Sequence, residues 1–208
     1  MILKLTPSRN KKNFYRIYIE DEFLGAIPQK LIPPDYFLQT ETEISDEFIC
    51  YVKDWVRDNA SAILLDYLSK MERTVNDCKV YLRKWDVPES VIALAIEEAK
   101  SKKWVSDERY ADLYTEDAIL FERSPLDTKH KLLQKKIAPE IVNRIISKSF
   151  NNETKEEIIG NLIEKMLPRY AGLNPDKQFE KIATALYRKG FEYNDYEELL
   201  HSKISDKY

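Results

Sequence analysis

The sequence predicts a mainly α fold: three tandem three-helix repeats behind a small N-terminal β-element. Three observations predict it. One segment type recurs, as VYLRKWDVPESVIALAI at 80–96, KLLQKKIAPEIVNRII at 131–146 and TALYRKGFEYNDYEELL at 184–200. Superposing Lys84, Lys135 and Lys189 sets the copies 51 and 54 residues apart and aligns Val91, Val142 and Tyr196. Recurrence at this period marks stacked helical units, each burying little until it meets a neighbour. From Asp58 onward, apolar residues fall at helical spacing between short breaks. Before residue 28 the pattern is instead β-branched and aromatic.

At the N-terminus, FYRIYI (14–19) and FLGAI (23–27) read as strands around a polar turn, with MILKL (1–5) a third. Pro28, Pro33 and Pro34 interrupt the next stretch, leaving one helical turn at 28–32. Ser45 begins a helix carrying Phe48, Val52 and Trp55, and a second is predicted over 61–73. Thr74 caps a helix through Leu82, and Pro88 opens the next. Further helices start near Ser106, Pro125, Pro139, 153 and Pro175, with Asn194-Asp195 capping the last and the tail frayed. The predicted divisions are a β-rich element and linker at 1–44, a first repeat with its lead-in helix at 45–112, a second repeat at 113–152, and a third with the tail at 153–208.

Composition narrows the function. Four glycines among 208 residues weigh against phosphate-cradling loops, and neither a Walker A motif nor GxGxxG occurs. Cys50 and Cys78 lack metal or disulfide spacing, which predicts reduced structural cysteines and a cytoplasmic protein without cofactor or metal. No stretch reaches membrane-spanning length. The formal net charge of -3 is unlike a free-standing nucleic-acid binder. Residues 1–120 carry 17 Lys+Arg against 22 Asp+Glu, and residues 121–208 carry 16 against 14. His130 and His201 stand far apart without a nucleophile or metal motif, so no catalytic residues are assigned.

The candidate contact residues are basic. Lys129, Lys131, Lys135 and Lys136 form the densest cluster, with Arg144 and Lys148 in the next helix. Arg83 and Lys84 recur in position as Arg188 and Lys189. Such residues would meet phosphates or an acidic protein surface, or simply complement helix C-terminal ends. Trp85 and Trp104 read as packing residues.

Four elements in order carry a family resemblance. They are Leu82-Arg83-Lys84 with the helix after Pro88; Trp104-Val105-Ser106-Asp107-Glu108-Arg109-Tyr110-Ala111; Lys131-Leu132-Leu133-Gln134-Lys135-Lys136-Ile137; and Leu186-Tyr187-Arg188-Lys189-Gly190-Phe191. Together they resemble the bacterial RecX regulatory proteins over nearly the whole chain. The glycines expected after Lys84 and Lys135 are Trp85 and Lys136, and the usual basic link between units is Glu122-Arg123-Ser124-Pro125. The resemblance implies a non-catalytic modulator, mainly an inhibitor, of RecA; the chain itself is expected to be a monomer. It would bind the RecA nucleoprotein filament and regulate homologous recombination, DNA repair and the SOS response. The alternative is a direct single-stranded DNA-binding protein that competes with the recombinase; single- and double-stranded DNA are the further candidate partners.

Overall fold

The protein is described by a computed structural model covering residues 2–37 and 44–205. Part of the predicted linker (38–43) and the end of the predicted tail (206–208) lie outside the described residues. The chain divides into two compact units, Met1–Ser106 and Asp107–Tyr208.

The first unit opens with three antiparallel strands in the order β1-β2-β3: β1 (Leu3–Pro7), β2 (Phe14–Ile19) and β3 (Glu22–Pro28). Glu20 and Asp21 both adopt positive φ, the conformation that a two-residue hairpin turn requires. A register shift at Ile17/Tyr18 accompanies Gly25, whose φ is 132°. A Cβ on Gly25 would lie 2.5 Å from Val56 Cγ2, so the glycine lets the sheet close onto the first helix.

That helix, α1 (Asp46–Leu68), is capped by Ser45, whose hydroxyl accepts from the Phe48 N–H. It runs unbroken where the sequence pattern predicts one helix from Ser45 through Trp55 and a second over 61–73. Val52, Val56, Ala60 and Leu64 keep one buried stripe through that point, and neither proline nor glycine interrupts it. Helices α2 (Val75–Arg83) and α3 (Glu89–Ser101) come next. They share one apolar core with the sheet and α1, including Ile17, Ile27, Leu64, Leu82 and Ile96.

The second unit contains α4 (Asp107–Leu120), α5 (Pro125–Gln134), α6 (Pro139–Ser149), α7 (Asn152–Met166), α8 (Pro175–Arg188) and α9 (Tyr193–Ser205). A 3-10 turn, Leu167–Tyr170, extends α7. The predicted division at 112 therefore cuts through α4; the helix begins at Asp107, where the second unit starts. The last helix starts one residue before the predicted cap: Asp195 sits within its first turn and accepts from the Glu192 N–H. Cys78 is buried as expected, but Cys50 is exposed.

The structure corrects the repeat register. Thr74, Ser124 and Asn174 cap α2, α5 and α8 alike, each accepting from the N–H three residues on. Leu82, Leu132 and Leu186 are fully buried near the helix ends. Asp86, Lys136 and Gly190 then turn the chain with positive φ. At each turn the next N–H, on Val87, Ile137 or Phe191, bonds back to the carbonyl of that buried leucine. The caps are spaced evenly by 50 residues, and α8 is longer than α5 by four residues, about one helical turn, so its apolar face is preserved. Trp85, not Lys84, is thus the equivalent of Lys135 and Lys189. The glycine expected in the first repeat corresponds to Asp86.

Candidate partner-binding surface

The ten predicted contact residues are distributed over both units and fall into two classes. Arg83 and Arg144 are already engaged. Arg83 makes a two-pronged pair with Glu89 (2.6 and 2.9 Å), and Arg144 meets Glu108 at 2.6 Å. The hydrogen bond to Glu89 raises the Arg83 pKa, and Arg83 in turn holds the Glu89 carboxyl below its ordinary value. Lys135 lies over the Tyr110 ring, 6.0 Å from its centroid. Lys84, Lys129, Lys131, Lys136, Lys148, Arg188 and Lys189 form no ion pair among the described residues.

The repeated basic pair does not survive the corrected register. Arg83 aligns with Leu133 and Tyr187, and Lys84 with Gln134 and Arg188. Lys129 and Lys131 lie on different flanks of α5, either side of the stripe formed by Thr128 and Leu132. Lys135 and Arg144 both lean on α4, so part of the predicted cluster does gather along one helix. The predicted charge gradient also changes. The first unit carries 16 Lys+Arg against 17 Asp+Glu and the second 17 against 19, because acidic residues between 107 and 117 belong to the second.

Within the second unit, the structure assembles a basic seam that sequence reasoning missed. The turn after α4, the start of α5 and the end of α8 converge on Ser124, which is buried. Its hydroxyl donates to the Lys189 carbonyl (2.7 Å) and accepts from the Asp127 N–H (3.1 Å). One side chain therefore caps α5 and ties it to the turn of the next repeat. Beside it lies a cavity of about 380 Å³ whose lining includes Phe121, Arg123, Leu126, His130, Arg188 and Lys189. Arg123 donates to the Tyr114 hydroxyl (3.2 Å), and Asp127 is 3.8 Å from it. Burial pushes the Tyr114 hydroxyl above its ordinary pKa. Glu122, which also lines the cavity, is held by Lys165 at 2.6 and 2.7 Å. The sequence signal was Arg123 together with Arg188, but only folding brings repeats two and three side by side.

Among the described residues, no group of His, Cys, Asp and Glu is arranged to hold a metal ion. No helix among them is long and apolar enough to cross a membrane. What the seam offers a partner is charge and apolar contact.

No family model matches the chain. Regulatory protein RecX of Streptococcus gordonii is 27 % identical over 195 residues, spanning 92 % of this chain and 74 % of that protein. Its counterpart from Streptococcus pneumoniae serotype 19F is 26 % identical over 196 residues, spanning 93 % and 74 %. The chain is a relative of the RecX regulatory proteins. Two crystal structures share its fold. One, of a regulatory protein RecX, has a TM-score of 0.65 and 23 % identity, covering 94 % of this chain and 97 % of that one. The other, of RecX from Lactobacillus salivarius, has a TM-score of 0.65 and 24 % identity, covering 73 % and 96 %. The mainly α architecture with a small N-terminal sheet is thus that of RecX proteins.

Proposed function

We propose that the protein is a non-catalytic cytoplasmic regulator of the RecA recombinase, a monomer that binds the RecA–single-stranded DNA filament and limits ATP hydrolysis and strand exchange. The observation that carries this reading is likeness to proteins named regulatory protein RecX over 92 % of the chain. The basic residues support it. Lys84, Lys131, Lys136, Lys148, Arg188 and Lys189 are exposed and lack an internal acidic partner, so their charge is available to a filament surface. Arg83 and Arg144 would have to exchange Glu89 and Glu108 for a new partner, and are weaker contacts.

Direct binding of single-stranded DNA is the second reading, favoured by the unpaired Lys129, Lys131 and Lys136 and opposed by the acidic balance of both units. Titrating the protein into a RecA filament ATPase assay on single-stranded DNA, at two salt concentrations, separates them. A substoichiometric fall in rate without binding to bare DNA is expected. Inhibition that tracks bare-DNA binding at every salt concentration would favour competition for DNA.

A further inference from the structure

The three most exposed large apolar side chains among the described residues are Leu120 (75 %), Tyr187 (71 %) and Phe121 (69 %). Phe121 lines the seam cavity and Leu120 precedes it in the chain, whereas Tyr187 lines a separate hollow with Phe179 and Tyr196. Leu126, also exposed, lines the same cavity. A single exposed leucine is ordinary on a protein surface, but two exposed apolar side chains, Phe121 and Leu126, beside unpaired cations in one hollow form a candidate docking place.

The charge there is one-sided. Arg188 and Lys189 are exposed and form no ion pair among the described residues. Glu122 is neutralised by Lys165, and Asp127 is set against Arg123. The net positive balance of Arg188 and Lys189 remains, with His130 beside them. The N-terminal end of α5 opens on the same space; Pro125 has no N–H and Ser124 takes the Asp127 N–H, so it adds only the partial positive charge of its first turn.

We propose that this seam binds an acidic peptide segment of another protein, with its carboxylates on Arg188 and Lys189 and an apolar side chain against Phe121 and Leu126. Peptide fits better than nucleic acid for two reasons. The exposed Phe121 and Leu126 in the lining offer contacts that an apolar side chain of a peptide fills and a sugar-phosphate chain does not. A cavity of about 380 Å³ suits one or two side chains, at the small end of ligand sites. The cations would set approach and salt dependence, and the apolar pair would serve as the anchor. The inference holds whichever protein carries the segment.

The test is fluorescence anisotropy on the full chain with a labelled octapeptide, Glu-Asp-Phe-Asp-Glu-Leu-Glu-Asp, and a labelled oligothymidylate of similar charge. The peptide is expected to bind with Kd below about 1 mM. R188E/K189E should weaken it at least about tenfold, and F121S about fivefold. All three positions are exposed, so circular dichroism and melting should not change. Oligothymidylate should bind at least about tenfold more weakly than the peptide at the same salt concentration. Absence of peptide binding, binding unchanged in R188E/K189E, or oligothymidylate bound as well as the peptide would each overturn the proposal. Arg188 and Lys189 are shared with the proposed filament surface, but the anisotropy assay contains neither RecA nor ATP, so its outcome is read separately from the filament ATPase assay.

Discussion

The turn that closes the first short helix of each repeat has one backbone path and three different occupants. In the first repeat it is Asp86, buried, accepting from Ser8 Oγ (2.5 Å) and Asn10 Nδ2 (3.5 Å), with Arg16 Nε at 3.5 Å. In the second it is Lys136, exposed. In the third it is Gly190, where a Cβ would lie 2.8 Å from Ser124 Oγ. The hydrogen bonds that return to the buried leucine dictate the positive φ. The surroundings of the turn dictate the residue. The sheet offers donors at the first, solvent surrounds the second, and the next repeat's cap crowds the third.

The largest break in this comparison should come from Gly190→Ala. Its φ of 89° strains an alanine, and the added methyl strikes a hydroxyl already committed to the Lys189 carbonyl and to the cap of α5. A loss of about 2–4 kcal/mol is expected in urea denaturation. A loss under about 0.5 kcal/mol would show that Ser124 yields without cost.

Asp86→Ala should come next. It strands the Ser8 hydroxyl and leaves Arg16 Nε, which is buried without another acceptor, with no carboxylate nearby. About 2 kcal/mol is expected. Asp86→Asn sharpens the point, because asparagine tolerates positive φ and keeps the shape while removing the charge. If Asn costs as much as Ala, the ion pair with Arg16 matters most. If Asn is nearly neutral, the Ser8 hydrogen bond does.

These turns also show how much of the fold was legible in the sequence. Three helical repeats were legible because one apolar segment type recurs and because breaks fall before Pro125 and Pro175; that Ser124 and Asn174 cap their helices as Thr74 does came from the structure. The register was not, because Lys84, Lys135 and Lys189 attract the eye but are exposed or half-buried and nothing in the fold fixes them. The invariant features, a buried leucine and a positive φ, involve residues as unlike as Asp, Lys and Gly at the turn itself. Trp85 reads correctly as a packing residue: it is half-buried, its face beneath the Lys11 ammonium (2.8 Å to the centroid) and its edge to Tyr81. Burial lowers the Lys11 pKa. The seam at Ser124 was not legible because its cations come from positions 65 residues apart. No periodicity within a single repeat reports which neighbour a helix end will meet.

A smaller effect of opposite sign is expected at the second turn. Lys136→Gly relieves the cost of a side chain at positive φ and disturbs no hydrogen bond of the turn, since those use backbone atoms. A gain of about 0.5–1 kcal/mol is expected in the same denaturation experiment, offset in part by a more flexible unfolded chain. The substitution also removes one proposed contact. Increased stability with weaker filament inhibition would separate the turn's geometry from its charge, and increased stability with unchanged inhibition would drop Lys136 from the contact surface.

The smallest effect belongs to a brace found only at the first turn. Arg83 spans from the end of α2 to Glu89 at the start of α3, whereas the equivalent positions are Leu133 with Pro139 and Tyr187 with Tyr193. Arg83 holds the Glu89 carboxyl below its ordinary value, so the unfolded chain takes up a proton there at higher pH than the folded one. The brace therefore contributes fully above the unfolded glutamate value of about 4.3 and fades as pH falls through the lower folded value. Both side chains are well exposed, which keeps the contribution small and sensitive to salt. Comparing the protein with Glu89→Gln in denaturant should show a difference at neutral pH that disappears in acid. A difference that persists in acid would mean that Glu89 acts through helix packing or capping rather than through its charge.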